Sequence, residues 1–80
     1  MGLTWDEAVL HVLGSYYPHE VSLKTIYFEV DKYRKLAEKD FEVTKYDEPR
    51  YKRIVRATLN QLIKEDLVER IRRGVYILRE

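Results

Sequence analysis

The stretch from Pro49 to Lys64 constrains this chain more than any other. Tyr51, Ile54, Val55, Thr58, Leu59, Leu62 and Ile63 recur three and four residues apart, the period of one buried helical face. The opposite face carries Arg50, Arg53, Arg56, Ala57, Asn60 and Lys64, and no acidic residue falls between Pro49 and Lys64. The pattern predicts a helix with one packed side and one wholly cationic side. Asp47 is placed to cap it, with Glu48 and Pro49 in its first turn, where a missing N–H costs nothing. Glu65-Asp66 closes it, because Asp accepts the left-handed conformation better than most side chains.

Two short strand patterns follow, LVERI and VYIL, flanking Arg72, Arg73 and Gly74. Gly74 supplies the positive φ that a tight hairpin commonly needs. Arg70, Arg72 and Arg73 put three positive charges on or beside its tip.

Upstream, Thr4 and Glu7 have capping-box spacing. Trp5, Ala8, Val9, Val12, Leu13 and Tyr16 then mark a helix over about 5–15, ended by Gly14, Ser15 and Pro18. Glu20-Val21 has the character of a short extended segment, and Ser22 of the next N-cap. Leu23, Ile26, Tyr27, Val30 and Tyr33 or Arg34 continue at helical spacing, predicting a second helix over about 23–36. Residues 37–47 are polar and acidic and lose the period. They read as a connecting loop with Phe41 or Val43 pinned to the core, or as a further turn of helix. The predicted order is α-α-α-β-β in a single α+β domain over residues 1–80.

Composition narrows the functional classes. Eighty residues allow one domain, near the size at which a single core becomes marginal. The absence of cysteine removes disulfides, thiol catalysis and Cys-based zinc sites together. No apolar run is long enough for a bilayer and no secretory leader opens the chain, so a cytoplasmic location is expected. Asn60 and Gln61 are the only side-chain amides, which beside the abundant charge points to a thermophilic source. Net charge is only +1, but it is unevenly placed. Residues 1–48 hold six basic and ten acidic groups, net −4, whereas residues 49–80 hold nine basic and four acidic groups, net +5. Such asymmetry points to an anionic partner.

The stretch RYKRIVRATLNQLIKEDLVERIRRGVYIL, residues 50–78, resembles the third helix and wing of a winged helix-turn-helix domain. It resembles the N-terminal DNA-binding domain of Mrr-type restriction endonucleases. That family also places a polar insertion before its third helix, as residues 37–47 would here. TWDEAVLHVLG and EVSLKTIYFEV agree in pattern only, and Asp66 stands where winged helices usually place Gly.

The resemblance implies three helices followed by a two-stranded β-hairpin wing, and binding to double-stranded DNA. The module takes up all eighty residues, so no cleavage activity is implied. It further implies that the third helix lies in the major groove. Arg53, Arg56 and Asn60 become candidates for base edges, and Arg50, Tyr51, Lys52 and Lys64 for phosphates. On the wing, Arg70, Arg72 and Arg73 are placed for an adjacent groove or the backbone. Reversing Arg53 and Arg56 to Glu is then expected to weaken duplex binding while leaving thermal stability nearly unchanged. A homodimer is expected, since one such domain covers one half-site, and a small transcriptional regulator or a DNA-reading subunit is the natural setting.

Plainer explanations exist for each signal. A cationic helix face is often only solvated surface, and Arg50 or Arg56 can pair with the acidic first half. Fold alone does not fix function, so a winged helix serving protein–protein contact in a transcription, replication or defence complex is the alternative. Double-stranded RNA is a weaker candidate because its major groove is too narrow for side chains. His11 and His19 have no third ligand at a recognisable spacing, so no metal is expected. Tyr27, Tyr51 and Tyr76 lie on apolar stripes and read as core, as does Trp5. Asp40, Glu42, Asp47 and Glu48 read as caps and solubilising charge. Glycine-rich phosphate loops and a Ser-His-Asp arrangement are absent, so neither catalysis nor a cofactor or small-molecule ligand is expected.

Overall fold

A computed structural model of the chain describes residues 3–33 and 48–79. Thr4 opens α1 (Trp5–Tyr16) through the expected capping box. Its hydroxyl accepts the Glu7 amide at 3.2 Å, and the Glu7 carboxylate accepts the Thr4 amide at 3.0 Å. Ala8, Val9, Val12 and Leu13 form the buried stripe, and Trp5 packs half-buried at its edge. The helix stops just before the cis Tyr17–Pro18 peptide.

Next comes β1 (Val21–Ser22), which leads directly into α2 (Leu23–Tyr33). Ser22 caps α2 by accepting the Thr25 amide on its hydroxyl at 3.2 Å. Ile26 and Val30 are its buried residues, with Leu23, Tyr27 and Tyr33 packed against the core. The expected continuation of this helix to residue 36 lies outside the described residues. So do the predicted 37–47 loop, with Phe41 and Val43, and the acidic Asp40, Glu42 and Asp47.

α3 (Arg50–Lys64) begins later than the sequence predicts, with Pro49 as its N-cap in an extended conformation (φ −60°, ψ 142°). The expectation that Glu48 and Pro49 form the first turn is corrected. The proline ring disfavours helical backbone at Glu48, and Pro49 itself is extended, so winding starts at Arg50. Val55, Thr58, Leu59 and Leu62 are buried, as the periodicity requires. At the far end Asp66 adopts φ 61°. The Asp66 amide bonds the Ile63 carbonyl at 3.1 Å and the Leu67 amide bonds the Leu62 carbonyl at 3.0 Å. This paired pattern is the Schellman closure, achieved with Asp instead of the usual Gly.

β2 (Val68–Arg72) and β3 (Val75–Leu78) form the expected hairpin, turning through Arg73 and Gly74, whose φ is 76°. Opposed pairs are Val68 with Leu78, Glu69 with Ile77, Arg70 with Tyr76 and Arg72 with Val75, so Ile71 is an extra residue in β2. The sheet has a third strand that the two-stranded expectation lacks. β1 runs antiparallel to β3, pairing Val21 with Tyr76 and Ser22 with Val75, which gives the order β1-β3-β2. Architecturally the described residues are α+β, three helices with a three-stranded antiparallel sheet.

α1 packs on α2, α3 and β3, while Val21, Val68 and Tyr76 bring the sheet into the same core. The Leu23 amide donates to the Gly74 carbonyl at 2.7 Å, seating the start of α2 on the hairpin turn. No helix among the described residues is long and apolar enough to cross a membrane.

Candidate nucleic-acid interface

Packing of the α3 apolar stripe forces its other side outward. Arg50, Arg53, Ala57, Asn60 and Lys64 are all exposed. Arg56 and Asn60, four residues apart, form one row on the flank nearest the hairpin. Across from them stand Arg70 of β2 and Arg73 of the turn. Together with Leu23, Gly74 and Tyr76 these four line a cleft of about 490 Å³. α3 and the hairpin thus contribute cations to one depression, set side by side by the packing of α3 on β2. The walls supplied by Leu23, Gly74 and Tyr76 carry no charge or catalytic motif, so nothing in their sequence marks them as lining residues.

Arg56 is not a free cation. Its guanidinium grips the Glu48 carboxylate with both terminal nitrogens, one of them at 3.0 Å, and also donates to the Tyr27 hydroxyl at 3.1 Å. This bidentate pair holds the Glu48 carboxyl below its ordinary pKa, chiefly through the Arg56 hydrogen bonds, and raises that of Arg56. Tyr27 is shifted upward, because its burial outweighs the opposing bond from Arg56. The contact clasps α2, the entry to α3 and α3 itself. The expectation that reversing Arg56 spares thermal stability is therefore corrected, since a carboxylate at 56 would face Glu48. Glu48 lies eight residues from Arg56 and outside the helix, so helical spacing could not pair them.

The other candidates divide. Tyr51 is half-buried and meets Tyr27 edge-to-face, with ring centroids 6.2 Å apart. Lys52 sits with its Nζ 5.3 Å from the centre of the Tyr27 ring, a cation–π contact across to α2. Arg53 lies on the outer face beside Arg50, where the two flank Ile54 and Ala57 in a second shallow depression. Arg72 pairs with Glu20 at 2.7 Å and does not join the cleft. Arg50, Lys64, Arg70 and Arg73 make no ion pair with any described residue.

Among the described residues no group of three His, Cys, Asp or Glu is placed to hold a metal ion. His11 instead stacks on Tyr33, with centroids 5.5 Å apart. Comparison with known protein families, with curated proteins and with solved structures gives no match for this chain.

Proposed function

We propose that this chain is a winged helix-turn-helix domain that binds double-stranded DNA through α3 and the β2–β3 hairpin. The order α-β-α-α-β-β among the described residues and the resemblance of residues 50–78 to the Mrr-type DNA-binding domain support that reading. The observation that carries it is the shared cleft, where Asn60 of α3 meets Arg70 and Arg73 of the hairpin. Arg50, Arg53 and Lys64 extend the same charge along the exposed side of α3. A helix of this kind fits the major groove, about 12 Å wide, and Arg and Asn can read guanine and adenine edges there. Arg53 is the base-reading candidate; Asn60 faces the cleft instead, and Arg56, bound to Glu48, acts by holding α3 in place. A transcriptional regulator or DNA-reading subunit, acting as a homodimer on paired half-sites, is the setting proposed.

The test is titration of a random-sequence duplex at low salt by gel shift. Retardation is expected by tens of micromolar protein, because non-specific dissociation constants fall at about 10⁻⁴–10⁻⁶ M. Arg50→Glu with Lys64→Glu is expected to weaken binding at least tenfold, and equal binding would reject α3 as the contact surface.

Contact with another protein is the second reading, and Phe28 favours it. Phe28 is 77% exposed on α2, and aromatic side chains are enriched in protein–protein contacts. No retardation by the parent protein would favour this reading over DNA.

A further inference from the structure

We infer that the cleft between α3 and the hairpin seats one backbone phosphodiester of the duplex, held by Arg70, Arg73 and Asn60. This deepens the duplex-binding reading and rests on it. Neighbouring major and minor grooves are separated by a single sugar–phosphate strand. With α3 in one groove and the hairpin turn against the next, that strand runs between them, where the cleft lies.

The cleft's chemistry matches one phosphodiester. Arg56 lines the cleft, but Glu48 already compensates its charge. The guanidinium groups of Arg70 and Arg73 make no ion pair with any described residue, and both offer forked N–H donors suited to phosphate oxygens. Asn60 adds a neutral amide donor from the α3 side. Leu23 and Tyr76 provide apolar walls of the kind a deoxyribose face can rest on. The arginine positions are built into the fold. Arg70 stands opposite the buried Tyr76, and Arg73 precedes Gly74, whose carbonyl is fixed by the Leu23 amide at 2.7 Å. Arg56 is a positioning residue here, its clasp on Glu48 and Tyr27 fixing the α3 wall of the cleft.

Salt dependence of duplex binding counts the phosphates engaged, since each contributes about 0.9 to the slope of log K against log salt. Arg70→Ala with Arg73→Ala is expected to lower that slope by about 0.9, with the melting temperature unchanged because neither residue pairs with a described residue. An unchanged slope would overturn the seat. So would a fall of about 1.8, which means two separate phosphates. If the parent does not bind duplex at all, the duplex reading fails first. Titration with inorganic phosphate and pyrophosphate then decides the seat by NMR. Shifts of the Gly74 amide and Asn60 side-chain amide that vanish in the double variant keep a phosphate site from another source. No shifts would remove it.

Discussion

Arg56 and Arg73 look interchangeable as letters, yet their surroundings give them different work. Arg56 is bound by Glu48 and Tyr27, whereas Arg73 stands exposed on a hairpin turn beside the cleft. The Glu48–Arg56 contact also makes stability depend on pH. Because the folded-state pKa of Glu48 lies below its ordinary 4.5, its contribution is complete above that value and is lost as pH falls through the lowered one. The parent's melting temperature is therefore expected to drop more steeply below about pH 4.5 than that of Glu48→Gln, as followed by circular dichroism. Parallel profiles would show that the clasp contributes nothing. Of the two arginine reversals, Arg56→Glu is expected to lower the melting temperature more than Arg53→Glu.

At the scale of elements, α3 does two jobs with two faces. Leu59 is fully buried in the core, so Leu59→Ala is expected to cost about 2–5 kcal/mol in a chemical-denaturation experiment. In a domain this small, that is a large part of the total stability. The helices were legible because the 3.6-residue period repeats over eleven to fifteen residues in each. The capping signals at Thr4 and Ser22 and the left-handed Asp66 were legible too, since each acts through neighbours in sequence. β1 was not legible as a sheet strand. Two residues carry no period, and Val21 becomes a strand only through Tyr76, which is distant in sequence. α3 starts at Arg50 for a local reason: proline disfavours helical backbone at Glu48, and Pro49 itself is extended. Within the candidate site, the cationic residues were legible by type and spacing. Their grouping was not, because the cleft and the Arg72–Glu20 pair arise from tertiary packing.

For the molecule as a whole, the described parts of the acidic first half and the basic second half pack on one core, with Glu20 paired to Arg72 and Glu48 to Arg56. The hairpin's Arg70 and Arg73 remain beside Asn60 because α3 packs on β2, while the Leu23–Gly74 bond ties the turn to the start of α2. The most direct check is NMR mapping of a random-sequence duplex onto isotope-labelled protein at low salt. Perturbations are expected to concentrate at Arg53, Asn60, Arg70, Arg73 and Gly74, and to leave α1 and Phe28 unmoved. Perturbations centred on Phe28 or α1, or none at all, would contradict a duplex-binding surface built from α3 and the hairpin.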